Sequence, residues 1–557
     1  MRPPTTLSHR RYRPFAVRNS VAPIESGLPD HRVTRAERRC DTPKSPPRTG
    51  NSVSSILRWS CAPQLFAVAI GVASMIGCGP QEDLAPPNIL ILMSDNHSWN
   101  HLGCYEDATL KTPNIDKVAE EGVRFTHAFC PAPSCTPARA AMLTGQDIWR
   151  LEEGANLWGT MPSRFAVYTD LLEEAGYLVG YEGKGWGPGD YEAGGWNRNP
   201  AGQRYGSFEE FYNERERGQP FCYWFSSRDP HRPYRTDGGK EAGYDLGSIS
   251  VPPYLPDAPA VRGDIADYYA EIQHFDMEVG EHLGLLSEFG AMDDTVVIIA
   301  SDNGWQMPRG LANLYDSGTR LPLVVSMPKR FPGGRVVEDF VSLTDFAPTM
   351  LDLAGLPIPE DMTAKSLVPI LMSDAHGLVD SRRSFVVTAR ERHAFVRQGG
   401  PGYPARALRT REYLYIRNYA PELWPAGDPP LYGDVDAHML QFPSPTKMFL
   451  LQRADDPEYR LLFDLAFSKR PAEELYALAA DPHQMENLAD DPGYQSTKAE
   501  LGAQLQEYLR STGDPREVGG AMKWEKARYF KESDLRPEPS PEAIEALGLD
   551  ERYSYID

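Results

Sequence analysis

Cysteine is scarce in this sequence, which has seven cysteines among 557 residues. No two of them form a C-x-x-C pair, so the sequence offers neither a zinc knuckle nor a thioredoxin-like redox site, and seven are too few for a disulfide-dense scaffold. Long apolar runs are missing as well. The run from Leu65 to Gly77 has 13 residues, whereas a helix needs about 20 to cross a bilayer.

Basic residues are in deficit over most of the chain, and the net charge is −21. Residues 1–60 hold 12 Lys and Arg against 4 Asp and Glu, which leaves 45 basic against 74 acidic residues in the remainder. A body this acidic repels a phosphate backbone, so nucleic acid is not an expected partner. Proline and glycine are plentiful, at 50 and 47 residues. They favour a sheet protein with long loops over a coiled coil, a repeat array or collagen.

The N-terminal region divides into two segments. Residues 1–56 are rich in Pro, Arg, Ser and Thr without apolar periodicity, which predicts a disordered extension or a start site assigned too far upstream. In residues 57–78, Arg58 precedes a short apolar run, and a small residue precedes Cys78. This pattern predicts a signal peptide. One form of such a signal is the lipoprotein type, in which Cys78 carries the lipid anchor. The alternative is a buried core strand. We expect an exported protein, periplasmic or anchored to the outer membrane.

Two continuous apolar runs, NILILMS (88–94) and TVVIIAS (295–301), predict buried strands of a helix-covered sheet. The first run stops at Asp95-Asn96 and the second at Asp302-Asn303. An open α/β sheet builds its site at the carboxyl edge of such strands. Carboxylate and amide oxygens suit Ca²⁺, or Mg²⁺, rather than zinc. Ordinary Asp and Asn turn chemistry after a strand is the alternative.

The segment CTPARAAMLTG (135–145) predicts a helix that starts near Pro137 and stops at Gly145. Cys135 is therefore expected just before the N-terminus of the helix, where free amides and the helix dipole favour an anion. Arg139, one turn further, adds a fixed positive charge. The pattern indicates a nucleophile beside an anion site, and a buried free cysteine is the alternative.

These residues also resemble a known family. Cys135-Thr-Pro-Ala-Arg139 with Leu-Thr-Gly145 matches the C-x-P-[SA]-R-x-x-x-L-T-G signature of the formylglycine-dependent sulfatases, in the alkaline-phosphatase-like superfamily. Segments such as PNILILMSDN, PFCYWFSSRDPHRPY and ELYALAADPHQMENLADDP extend the resemblance over about Pro87 to Pro515. Within the family it is greatest to the N-sulfoglucosamine sulfohydrolases (heparan N-sulfatases) and their bacterial relatives.

The resemblance implies a set of roles. A formylglycine-generating enzyme would oxidise Cys135 to formylglycine (3-oxoalanine), whose hydrated aldehyde is the nucleophile, and Arg139 would steady it. Lys184 and His231 would bind sulfate or protonate the leaving group. The substrate would be a sulfated carbohydrate. The implied ligands of the cation are Asp95, Asn96, Cys135, Asp302 and Asn303.

Three positions depart from the family pattern: Asn96 replaces an Asp, Trp186 replaces a His thought to act as a base, and Leu311 replaces a Lys or Arg on the sulfate. Candidates for the missing base are His97 and His101. Candidates for the missing cation are Arg232, Arg309 and Arg320.

The predicted fold is α/β, with a large mixed sheet flanked by helices and a smaller C-terminal domain of short antiparallel sheet plus helix. The expected boundaries are 87–383 for the catalytic domain, 384–515 for the smaller domain and 516–557 for a tail. Residues 261–289 read as one long helix that ends at Gly290. The glycine-rich loop 183–206 with Trp186 is expected to line a substrate cleft, and His393 is a candidate sugar contact.

A sulfatase that acts on a sulfated carbohydrate, through sulfate ester or sulfamate hydrolysis, is the function that the motifs favour. Two alternatives stay open. One is a phosphate or phosphonate monoester hydrolase of the same superfamily, and the other is a non-catalytic surface lipoprotein that binds sulfated glycans. The sequence indicates neither the sugar and linkage nor an oligomeric state.

Overall fold

The computed structural model describes residues 85–434, 444–530 and 541–548. The predictions for residues 1–78, which include the signal peptide and the lipid anchor at Cys78, lie outside these ranges. Among the described helices, none is both long and apolar enough to cross a membrane.

The larger sheet has eight strands. They are β1 (Asn88–Ser94), β2 (Val123–Phe129), β3 (Leu178–Gly183), β4 (Gln203–Arg204), β5 (Phe221–Ser226), β6 (Thr295–Ser301), β7 (Arg320–Ser326) and β8 (Arg335–Ser342). Their order across the sheet is β4-β3-β5-β1-β6-β7-β2-β8. Only β7 among them runs antiparallel to its neighbours, β6 and β2. The mixed α/β sheet that the sequence predicts is thereby confirmed.

Strand β1 separates two hydrophobic cores. Ile89, Ile91 and Met93 point to one core, and Leu90 and Leu92 point to the other. Successive side chains of a strand alternate between the two faces of the sheet, so a strand that is covered on both faces reads as an unbroken apolar run. β6 follows the same alternation. Both strands end at the residues predicted from sequence.

Fourteen α-helices in the described ranges surround and connect the sheets. They are α1 (Pro113–Glu121), α2 (Cys135–Thr144), α3 (Tyr168–Glu174), α4 (Phe208–Glu214), α5 (Gly238–Glu241), α6 (Pro259–Glu288), α7 (Asp316–Thr319), α8 (Phe346–Leu353), α9 (Val368–Leu371), α10 (Pro445–Leu451), α11 (Arg460–Phe467), α12 (Gln495–Ser511), α13 (Pro515–Val518) and α14 (Pro541–Leu547). The long predicted helix is α6, which is followed by Gly290 in the left-handed conformation (φ 65°). Glycine adopts this conformation without a steric cost.

The smaller sheet contains β9 (Phe385–Arg390), β10 (Ala405–Thr410), β11 (Tyr413–Asn418) and β12 (Glu473–Ala477). All neighbouring pairs are antiparallel, in the order β12-β11-β10-β9. α12 supplies Leu501, Leu505 and Leu509 to a core that also contains Ile89 of the larger sheet. The predicted tail begins with packed residues, since Trp524 is buried in that same core.

A buried carboxyl joins α12 to the loop after α2. Asp147 accepts hydrogen bonds from the hydroxyl of Tyr508 at 3.3 Å to each carboxylate oxygen. Its own amide donates to the hydroxyl of Thr363 at 3.1 Å. Burial raises the pKa of Asp147 to about 7, because the charged form loses solvation.

This pKa shift predicts a loss of stability as pH rises. Between about pH 4 and pH 7 the folded protein keeps a proton on Asp147 that the unfolded chain has released, so the free energy of unfolding falls through that interval. We expect Asp147→Asn to be more stable than wild type by about 2 to 4 kcal/mol at pH 8, with a smaller difference at pH 5. Urea unfolding at the two pH values tests this. Asp293→Asn, at a surface carboxyl paired with Lys329, is the control and should show no such dependence.

Candidate active site

The first turn of α2 carries the predicted nucleophile. Cys135 is the first residue of α2 and Ser134 is its N-cap in extended conformation, so the expectation that Cys135 precedes the helix is corrected by one residue. The helix ends at Gly145 in the left-handed conformation, and the Gly145 amide donates to the carbonyl of Ala141. Every residue of α2 is buried, which fixes the thiol of Cys135 within the protein interior.

Two carboxylates lie beside this thiol because β1 and β6 are parallel neighbours in register. Ser94 pairs with Ser301, so Asp95 and Asp302 leave the sheet side by side. The Cys135 Sγ atom lies 3.6 Å from Asp95 Oδ1 and 3.6 Å from the Asn303 side-chain nitrogen. The pairing of strands therefore produces the cluster that the sequence suggested.

Two cations neutralise the carboxylates. Lys184, directly after β3, places Nζ 2.6 Å from Asp95 Oδ2. Arg139 places Nε 2.8 Å from Asp302 Oδ2, and both members of that pair are buried. Burial opposes the charged form of Asp95, but Lys184, His231 and Arg139 together lower its pKa well below the usual range. The site thus places two carboxyl groups and two cationic side chains side by side.

The pKa of the Cys135 thiol is raised, whereas the pKa of the neighbouring Asp95 is lowered. Burial raises the pKa of Cys135 to about 12, and the charges of Asp302 and Asp95 add to that effect against the opposing influence of Lys184. The sequence suggested an anion at this helix N-terminus. The structure departs from that expectation for the unmodified thiol, because burial, with the two carboxylates adding to it, disfavours the charged form.

His231 joins the cluster through the loop after β5. The carbonyl of Asp229 in this loop accepts a hydrogen bond of 2.9 Å from the amide of Asp95. This contact ties the His231 loop to the end of β1. Burial lowers the pKa of His231, although the charge of Asp95 acts in the opposite direction.

The donor set fits a hard divalent cation. One oxygen each of Asp95 and Asp302 and the sulfur of Cys135 all lie within 4.8 Å of one another. The side-chain oxygens of Asn96 and Asn303 are buried without a hydrogen-bond partner among the described residues. An unpaired buried polar oxygen costs about 1 to 3 kcal/mol, and coordination of Ca²⁺ or Mg²⁺ by oxygen would remove that cost.

Comparison with known proteins identifies the family of this chain. Residues 87–205 and 204–356 match the sulfatase family model, and residues 308–420 match the model for the C-terminal part of N-sulphoglucosamine sulphohydrolase. The chain belongs to the sulfatase family. It is therefore a sulfuric ester hydrolase.

Individual relatives place the chain within that family. Human N-sulphoglucosamine sulphohydrolase is 29% identical over 77% of this chain and 91% of its own length. A structure solved with its substrate D-glucosamine-2-N,6-O-disulfate has a TM-score of 0.55 and 18% identity, covering 77% of this chain and 98% of that chain. The phosphonate monoester hydrolase of Agrobacterium radiobacter has a TM-score of 0.54 and 18% identity, over 76% and 96% of the two chains. At these identities the two solved structures share the fold.

The three arginines proposed as replacement cations are engaged elsewhere in this sulfatase. Arg232 donates to both carboxylate oxygens of Asp264 at 2.8 Å. Arg309 donates to the carbonyl of Leu465 and stacks on Tyr315, and Arg320 donates to the carbonyl of Thr126 and stacks on Trp99. Because these contacts hold the guanidinium groups in structural pairs, the prediction that one of them replaces the cation missing at Leu311 is not supported.

The structure also corrects the expectations for Trp186, His97 and His101. The Trp186 ring is 2% exposed and belongs to the core, so it does not line an open cleft. His97 bonds to the carbonyl of His101 at 2.8 Å, and His101 packs on Trp305. Burial lowers the pKa of His97 to about 4. Both histidines are thus core residues and not the missing base.

Two further groups belong to the site and were missed. One guanidinium nitrogen of Arg139 donates to the hydroxyl of Ser226 at 2.7 Å and to the carbonyl of Gly185 at 2.8 Å. Ser226 ends β5, so the strand-end rule that found Asp95 and Asp302 would also have found it. The carbonyl of Gly185 leaves no signal in the sequence. His393, in contrast, was predicted, and the structure brings it to within 2.9 Å of Ser134.

Lys184 depends on Gly183, and this dependence can be tested. Gly183 has φ 82°, and a Cβ atom there would lie 2.0 Å from the carbonyl oxygen of Ser226. Gly218 has φ 81°, but a Cβ atom there would have no described atom within 4 Å. We expect Gly218→Ala to cost about 1 to 2 kcal/mol of unfolding free energy. Gly183→Ala should cost clearly more and also reduce kcat/KM, since Lys184 moves. Equal losses of stability in urea unfolding would contradict this account.

Proposed function

We propose that this sulfatase removes sulfate from a sulfated glycosaminoglycan at a glucosamine residue, as a sulfate ester or a sulfamate. The observation that carries the proposal is the cluster around Cys135, in which two carboxylates, two cations and two unpaired amide oxygens surround one nucleophile position. The sugar is suggested by the names of the relatives, since both human N-sulphoglucosamine sulphohydrolase and the disulfate complex concern sulfated glucosamine.

The proposal includes modification of Cys135. With a pKa near 12, an unmodified thiol at this position is protonated at neutral pH and is a poor nucleophile. The motif CTPAR supports oxidation of Cys135 to formylglycine by a formylglycine-generating enzyme. When present, this group would supply a hydrated aldehyde as the nucleophile.

The surrounding side chains have distinct tasks. Arg139 is held by Asp302, Ser226 and the Gly185 carbonyl, so it fixes the first turn of α2 relative to the sheet edge. Lys184 and His231 both act on Asp95 electrostatically. They are the groups available to bind a sulfate oxygen and to deliver a proton to the leaving oxygen or nitrogen.

Charge balance supports a bound cation. The two carboxylates and the two cationic side chains sum to zero, and a neutral site has little attraction for an anionic sulfate. A divalent cation held by Asp95, Asn96, Asp302, Asn303 and the modified Cys135 supplies, when bound, the positive charge that offsets the sulfate oxygens. Calcium is the expected ion, and magnesium is the alternative.

The function is tested with protein produced together with a formylglycine-generating enzyme. Peptide mass spectrometry should show Cys135 lighter by about 18 Da, as conversion of a thiol to an aldehyde requires. Saccharides with a single N-sulfate or 6-O-sulfate on glucosamine should be desulfated, and Cys135→Ala should abolish turnover while the melting temperature stays almost unchanged. Matched aryl sulfate, phosphate and phosphonate esters serve as controls. Faster turnover of phosphonate than of every sulfate would contradict the proposal.

Asn96 offers a clean test of the cation. Its side chain makes no hydrogen bond with the described residues, so Asn96→Gly removes a ligand without breaking a contact, and glycine tolerates its φ of 67°. Asn96→Asp instead adds a negative charge. We expect calcium affinity, measured by calorimetry, to fall about tenfold or more in Asn96→Gly and to rise in Asn96→Asp, because ligand charge tunes affinity. Unchanged affinity in both variants would exclude Asn96 as a ligand.

A further inference from the structure

The residue before the nucleophile makes an unusual contact. Ser134 is the N-cap of α2, yet its hydroxyl makes no capping hydrogen bond to the helix. An N-cap serine normally accepts from the amide of the second or third helical residue. Here Pro137 is the third residue and has no amide hydrogen, and the Ser134 hydroxyl lies 2.9 Å from Nδ1 of His393.

His393 comes from a different part of the fold. It lies in the connection between β9 and β10 of the smaller sheet, 259 positions from Ser134 in the chain. The ring is buried, and burial lowers the pKa of His393 to about 4, so the ring is neutral at pH 7. The contact is therefore a hydrogen bond between two neutral groups.

The segment that carries His393 is clamped on both sides. The Arg392 amide donates to the side-chain oxygen of Asn156 at 3.1 Å, and the Ala394 amide donates to Asp434 at 2.8 Å. Asp434 in turn accepts from Arg390 and Arg397. Although burial alone would raise it, the charges of these arginines lower the pKa of Asp434 to about 2. A fixed charge thus holds the backbone at His393.

We infer that His393 is a positioning residue for the nucleophile, acting through its hydrogen bond to Ser134, so that the smaller sheet sets the position of the turn at Cys135. The inference rests on the proposed role of Cys135. It differs from the sugar contact expected from the sequence, because it assigns the Nδ1 atom to a hydrogen bond with Ser134.

The experiment compares four variants: His393→Phe, His393→Asn, Ser134→Ala and the double variant His393→Phe with Ser134→Ala. Asparagine can place a polar atom near the position of Nδ1, so His393→Asn should restore the hydrogen bond to Ser134 and most of the activity. For desulfation we expect kcat to fall about 10- to 100-fold in His393→Phe, because a small misplacement of the reacting groups slows a reaction by about this much. KM should change less than about threefold. Because both changes break the same bond, the double variant should lose little more than either single variant.

A second measurement is independent of activity. Hydrogen exchange followed by mass spectrometry, on protein made without the formylglycine-generating enzyme, should show faster exchange for residues 130–136 in His393→Phe and Ser134→Ala. Exchange should return toward wild type in His393→Asn. His127→Phe is the matched control, since His127 makes a hydroxyl contact of the same 2.9 Å length with Thr126. It should leave exchange at 130–136 and kcat unchanged.

The results that would overturn this inference differ from the results that would overturn the proposed function. A higher KM with unchanged kcat in His393→Phe, together with a silent Ser134→Ala, would make His393 a substrate contact and overturn the inference. Additive losses in the double variant, or unchanged exchange at 130–136, would also overturn it. If wild-type protein desulfates no saccharide, the proposed function fails, and the exchange measurement still decides whether His393 positions the turn.

Discussion

The parallel pairing of β1 with β6 is the constraint on which the site depends. The register of Ser94 with Ser301 brings Asp95 and Asp302 out of the sheet together, and two buried carboxylates this close repel each other strongly. Arg139 and Lys184 relieve that repulsion. Helix α2 is held at the sheet edge because its own Arg139 is one of the two neutralising cations.

Two of the positions that depart from the pattern implied by the resemblance change charge in opposite directions. Asn96 lacks the negative charge of the Asp that the family usually has, and Leu311 lacks the positive charge of the usual Lys or Arg. Both replacements would weaken ligand binding. Asn96 is a neutral donor to a cation, and the buried Leu311 has no charge to attract a sulfate.

The sequence was informative wherever a local pattern determines the outcome. The bounds of β1 and β6, the helix that carries Cys135 and Arg139, and the Asp residues at the strand ends all follow from apolar runs and strand-end chemistry. The sequence did not predict contacts between elements that are far apart in the chain. The sequence predicted Arg232 as a sulfate-binding cation, but in the structure Arg232 is paired with Asp264 of α6. His393 contacts Ser134 because the smaller sheet packs beside α2. The raised pKa of Cys135 was likewise not predictable, since it depends on burial of the thiol and on carboxylates that follow two other strands.

Trp186 has a structural role in the segment that carries Lys184. Its backbone amide donates to the side-chain oxygen of Asn199, and its carbonyl accepts from the side-chain nitrogen of the same residue. With the ring packed in the core, these two bonds fix the segment that begins at Lys184. The carbonyl of Gly185 within that segment holds Arg139. The buried indole therefore anchors the segment that carries Lys184 and the Gly185 carbonyl, and a histidine there would bury far less packing area.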